Sequence, residues 1–173
     1  MLDSLITSKT RIKLLYKLFL NPDSSGHLRG LANEFGESTN SIRTELNRMV
    51  DFGLLVSVDS GMRKEYRANK NHPLYGDINN ILLKTSGIED LIESISKMSG
   101  DVDQVVLDQK MESINEKGVL INLKIIGQGV NKDFVTQVTK KLNNNMKSNQ
   151  LSISFLSKDD KVNQGLILWS KEI

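Results

Sequence analysis

At Gly53 the apolar spacing of this chain changes from that of a helix to that of a strand, and the residues on either side limit the folds that can contain both. Upstream, in STNSIRTELNRMVDFG, Ile42, Leu46, Met49 and Val50 recur at the spacing that gathers them on one side of a helix. Downstream, in LLVSVDSGMRKEYRAN, Leu54, Val56 and Val58 alternate with other residues. Asp59-Ser60-Gly61 then supplies a turn, and Arg63 to Ala68 return as a basic strand around Tyr66.

Two more helices lie upstream of this one. In SKTRIKLLYKLFLNP, Ile12, Leu15, Leu18 and Phe19 form an apolar stripe, Ser8 is the N-cap and Asn21-Pro22 stops the helix. In HLRGLANEFG, Leu28, Leu31, Ala32 and Phe35 share one face before Gly36 breaks the helix, and His27 is placed to cap its start. Ser38 or Thr39 caps the third helix. Two short helices joined by a few residues that include glycine form a helix-turn-helix, and a hairpin with a basic returning strand is the wing of a winged helix.

The run HLRGLANEFGESTNSIRTELNRMVDFGLLVSVDSGMRKEYRANKNHPLY resembles the winged-helix domain of ArsR-like bacterial and archaeal transcription regulators, a likeness covering roughly residues 4–86. A leucine-rich positioning helix, a turn, a recognition helix, a Gly-Leu-Leu lead-in to the wing and a closing Tyr-Arg-Ala-Asn follow in that family's order. The resemblance implies a sequence-specific regulator with its recognition helix, 38–52, in the major groove of double-stranded DNA and its wing, 54–68, on the backbone.

The residues supply their own argument for the contacts. With Ile42, Leu46 and Met49 inward, a turn of about 100° per residue places Asn40, Arg43, Thr44 and Asn47 on the opposite side, with Arg48 on its flank. Thr39 and Ser41 complete the expected face. Asn pairs bidentately with adenine and Arg with guanine, while hydroxyls serve phosphates or base edges. Arg63 and Lys64 on the wing meet phosphates or the minor groove.

Composition narrows the remaining classes. With 38% apolar and 25% charged residues, the chain has no stretch near the about 18 uninterrupted apolar residues of a membrane span. Asp3 and the interrupting Arg11, Lys13 and Lys17 argue against a signal peptide, so the expected compartment is the cytoplasm. Without cysteine there is no thiolate metal site, disulfide or cysteine nucleophile; His27 and His72 lack a ligand partner at short spacing, and no metal or cofactor is expected. Residues 1–75 hold eleven Lys and Arg against eight Asp and Glu, whereas the remainder holds twelve against thirteen. The cationic surplus thus lies with the expected DNA-binding region.

HPLYGDINNILLKTSG and IEDLIESISKM each carry a helical stripe, and the boundary between an N-terminal domain, 1–86, and a C-terminal one, 87–173, is expected near Ser86-Gly87. The helix after the wing either packs back or pairs with a second copy, so a homodimer is expected. Beyond Gly100 come a strand (Gln104–Leu107), a polar loop, a strand (Val119–Ile126), a helix (Lys132–Leu142), a strand (Leu151–Phe155) and GLILWSK. The whole is an α+β chain whose C-terminal domain is a small α/β unit.

The C-terminal spacing resembles a minimal nucleotidyltransferase domain, in which Gly-Ser closes one strand and Asp-x-Asp opens the next to hold Mg²⁺. Here Asp108 and Gln109 replace Gly-Ser, and Leu120-Ile121-Asn122 replaces Asp-x-Asp. Catalysis is therefore not expected, and the unit is taken as a degenerate relative serving dimerisation or the sensing of an unidentified small-molecule effector. Asp101 and Asp103 precede the first strand and are expected in a loop, while Trp169 is expected in the core or an interface. The alternatives are a nucleotide-binding or nucleotidyltransferase switch and an adaptor that binds protein rather than DNA.

Overall fold

The computed structural model describes residues 2–98, 101–113, 118–147, 149–158, 160 and 165–171. The chain is a mixed α+β protein in which helices pack with two separate sheets.

After a single turn, α1 (Leu2–Leu5), the helix α2 (Lys9–Phe19) starts where Ser8 Oγ accepts the Arg11 amide at 3.2 Å. Its last turn is closed by Asn79, whose side-chain amide donates to the Phe19 carbonyl at 2.7 Å. α3 (Leu28–Phe35) ends at Gly36, whose φ of 62° is left-handed; there the Glu37 amide reaches the Ala32 carbonyl. Ser38 Oγ then caps α4 (Thr39–Asp51) by accepting from the Ser41 amide at 3.1 Å. His27 occupies the cap position of α3, but its side chain makes no capping hydrogen bond. Extended backbone there belongs instead to β1 (Ser25–His27), a strand that the sequence pattern does not reveal.

β1 pairs antiparallel with β3 (Arg63–Ala68), which pairs antiparallel with β2 (Leu55–Ser60), giving the order β1-β3-β2. The hairpin turn is thus one step later than expected, because Ser60 still pairs with Arg63 and only Gly61 and Met62 lie between. His72 Nδ1 accepts the Leu74 amide at 3.1 Å in the turn before α5 (Tyr75–Ser86). Gly87 separates α5 from α6 (Ile88–Met98).

The second sheet has the order β6-β5-β4-β7, from β4 (Gln104–Ser113), β5 (Val119–Ile126), β6 (Asn149–Leu156) and β7 (Leu166–Ser170). β4 is antiparallel to β5 and β7, whereas β5 and β6 are parallel and joined through α7 (Lys132–Asn145). On β5, Val119, Ile121, Leu123 and Ile125 are buried, while Leu120, Asn122 and Lys124 on the other face are partly exposed.

One contiguous apolar core joins the two halves, running from Leu14, Leu18 and Phe19 on α2 through Leu82 and Leu91 to Leu123 and Val135. Each such fully buried large side chain stabilises the fold by roughly 1.5–3 kcal/mol. A buried polar cluster crosses the same seam: the Tyr16 hydroxyl donates to Asn149 Oδ1 at 3.2 Å and lies 3.1 Å from Thr85 Oγ1. The amide of Asn149 donates in turn to the Ser86 carbonyl at 3.0 Å.

Candidate nucleic-acid interface

α2 bears cations among its apolar residues, and a nearly enclosed helix keeps such charges only if they are paired. Lys17 Nζ meets Glu34 Oε1, Lys13 Nζ meets Glu37 Oε1, and Arg11 Nε meets Glu45 Oε2, each at 2.8 Å. The three carboxylates lie on α3, in the turn and on α4, so α2 is clamped across the whole helix-turn-helix. The Lys13 and Glu45 side chains are only 5% and 8% exposed, which makes these pairs structural rather than superficial. Ser8 Oγ also donates to Glu45 Oε1 at 2.8 Å.

Burial pushes the Glu37 carboxyl up, but hydrogen bonds from Lys13, Thr10 and Ser41 together with the Lys13 charge outweigh it and hold the carboxyl below its ordinary range. Glu37 therefore remains anionic at neutral pH and anchors the turn.

The clamp fixes which side of α4 faces out. Ile42, Leu46 and Met49 are buried, and Thr39, Asn40, Arg43, Thr44, Asn47 and Arg48 are exposed, as the helical rotation requires. The side chains of Asn40, Arg43 and Asn47 make no hydrogen bond or ion pair among the described residues. Two of the expected residues are exposed but already engaged within α4: Thr44 Oγ1 donates to the Asn40 carbonyl at 3.0 Å, and Arg48 Nη1 lies 3.5 Å from Glu45 Oε1. Ser41 departs from expectation. It is half-buried, its hydroxyl donating to Glu37 at 3.3 Å and lying 3.1 Å from Thr10 Oγ1, so it belongs to the clamp rather than to the outward face.

Arg63 and Lys64 are exposed at the start of β3, beside the fully exposed Met62. They line a groove of about 750 Å³ whose other wall is the beginning of α3, with His27, Arg29 and Asn33. Sequence periodicity gives no hint of this neighbourhood, because the β1–β3 pairing brings Arg29 beside the hairpin. α4 contributes none of the groove-lining residues, so the basic hairpin and the outward face of α4 are separate polar surfaces.

In the C-terminal half the expected polar loop is largely strand. β4 continues to Ser113, with Met111, Glu112 and Ser113 opposite Ile121, Leu120 and Val119 after an irregularity beyond Leu107. The centre of that loop, residues 114–117, lies outside the described residues. The ladder holds because one face of this sheet tolerates polar side chains: Asp108 Oδ2 pairs with Lys124 Nζ across β4 and β5 at 2.8 Å. Asp101 and Asp103 sit before β4, within 3.1 Å and 3.6 Å of Lys171 and Lys158, and Trp169 is half-buried against the core. A second concavity, about 370 Å³, lies beyond β5 and β6 between Gly127 and Ser157, where Lys132 Nζ stands 5.6 Å from the Phe155 ring centroid.

Among the described residues, no cluster of three or more acidic or histidine side chains could hold a metal ion, and no helix is long and apolar enough to cross a membrane. No protein-family model, curated protein or solved structure matches the chain.

Proposed function

We propose that the chain is a sequence-specific, double-stranded DNA-binding regulator of transcription acting in the cytoplasm, with residues 1–86 as a winged helix-turn-helix. The observation that carries this is the asymmetry of α4: one side is buried and clamped through Glu45, while the other offers Asn40, Arg43 and Asn47 with no internal partner. Donors and acceptors left unpaired on a helix whose other side is clamped are available to base edges, and the clamped helix limits the ordering cost on contact to the side chains themselves. Arg63 and Lys64 supply cations for the adjoining backbone.

Residues 87–173 are assigned no catalytic role. Their nucleotidyltransferase-like spacing carries Leu120 and Asn122 where metal-binding carboxylates are required, and Asp108 is engaged by Lys124. This unit supports the fold and is the candidate seat for a small-molecule effector. The protein acts as a homodimer: Leu74, just before α5, and Ile81 on it are exposed, with Ile78 half-buried between them, giving a stripe suited to a second copy. Two copies would address half-sites about one helical turn apart.

The test is the electrophoretic mobility of promoter DNA from the protein's own genome. Arg43→Ala or Asn40→Ala is expected to weaken binding by about 5- to 150-fold, the equivalent of about 1–3 kcal/mol for one bidentate base contact. Undiminished binding by both variants would sink the assignment of this face.

A further inference from the structure

The groove between the start of α3 and the hairpin gathers Arg29, Arg63 and Lys64 from segments far apart in sequence. No carboxylate lines it, and none of the three cations has an ion pair among the described residues. A neighbouring cavity of about 400 Å³ on the same sheet is different, since Asp23 and Glu65 there balance Arg67 and Lys70. Three like charges held in one concavity repel each other, and a bound anion offsets that cost. Asn33 adds a hydrogen-bonding group to the wall.

The geometry has a clear origin. Antiparallel pairing sets His27 opposite Glu65 and Ser25 opposite Arg67, so the chain leaves β1 alongside the hairpin and turns at once into α3. Arg29 is exposed in the first turn of that helix, on the groove wall. Strand pairing therefore brings Arg29 and Arg63 to one groove.

Resting on the DNA-binding reading above, we infer that this groove seats the phosphate backbone of duplex DNA beside the stretch addressed by α4, with Arg29 as a further phosphate-contacting residue. Arg63 and Lys64 then converge with Arg29 on phosphates instead of entering the minor groove. Such contacts fix register and contribute affinity without distinguishing sequences, and they release counterions.

Because the contact is indifferent to sequence, the test needs no operator: fluorescence anisotropy with labelled mixed-sequence duplex DNA across a potassium chloride series. Arg29→Ala is expected to make the slope of log K against log salt shallower by about 0.9, the value for one lost phosphate contact, while Arg29→Lys retains the parental slope. Arg29 is exposed, so an unchanged melting temperature should accompany the altered slope. If Arg29→Ala keeps the parental slope and affinity while Arg43→Ala weakens promoter binding, the groove assignment fails and the DNA-binding reading stands. If the protein binds no duplex, both fail. Tighter Arg29-dependent binding of labelled polyglutamate than of the duplex would overturn the inference in favour of an acidic protein partner.

Discussion

Replacing Lys13 by methionine tests whether charge pairing fastens α2 to the helix-turn-helix. The side chain is 5% exposed and its ammonium lies 2.8 Å from Glu37 Oε1. At that separation the gross attraction is about 6 kcal/mol for an effective dielectric of about 20, much of it offset by desolvation of both groups. Methionine fills a similar volume, so the main loss is the partner of a largely buried carboxylate. Breaking one side of a buried pair costs about 3–5 kcal/mol, and the lower end applies because Thr10 and Ser41 still donate to Glu37. A loss of about 3 kcal/mol corresponds to a fall of roughly 6–12 °C in melting temperature for a chain of this size, measurable by circular dichroism.

The pH dependence gives the test its sign. Glu37 is held below its ordinary value of 4.5, so its stabilising contribution is present above that pH and is lost as pH falls through the depressed value. In Lys13→Met the donor and charge that depress it are gone, Glu37 takes up its proton at higher pH, and the difference between the two proteins narrows in acid. Glu37→Gln added to Lys13→Met should recover at least about 1 kcal/mol, because it removes the orphaned charge. A loss below about 1 kcal/mol at neutral pH, or one that does not change with pH, would refute the reasoning.

Tyr16→Phe should cost about 1–3 kcal/mol in urea unfolding, since it leaves the buried Asn149 carbonyl oxygen without its hydroxyl donor; a cost near zero would mean that this cluster does not hold the seam. Gly127→Ala places a methyl group against the Asp101 carbonyl and the Val102 backbone, so a loss of about 1–3 kcal/mol is expected, and an unaltered denaturation midpoint would argue against that close approach.

Local chemistry made much of the fold legible. Ser8 and Ser38 mark helix starts because their hydroxyls satisfy first-turn amides, and Gly36 marks a helix end because the chain must turn left-handed there. The outward face of α4 followed from rotation alone. The missing parts depend on partners distant in sequence. β1 has three residues and no alternation, and only β3 defines it. The polar residues after Leu107 suggested a loop, yet pairing with β5 outweighs their composition on a sheet face that admits the Asp108–Lys124 pair. β6 begins at Asn149, earlier than its apolar run, because Tyr16 and Ser86 satisfy that side chain. Ser41, expected on the outward face, is drawn in by its bond to Glu37. Arg29 carried no mark in the sequence, since its place beside Arg63 is created by strand pairing.

Tyr16 and Asn149 are 133 positions apart, and this separation bears on how the protein is made. At a synthesis rate of about 5–20 residues per second, the phenol leaves the ribosome roughly 7–27 s before its partner amide. During that interval helices α2 to α4 can assemble and their ion pairs can close, but the apolar surface that later meets the second sheet is still uncovered. The nascent chain thus carries a temporarily open flank around Tyr16, and it is sealed only once the residues around Asn149 have been translated.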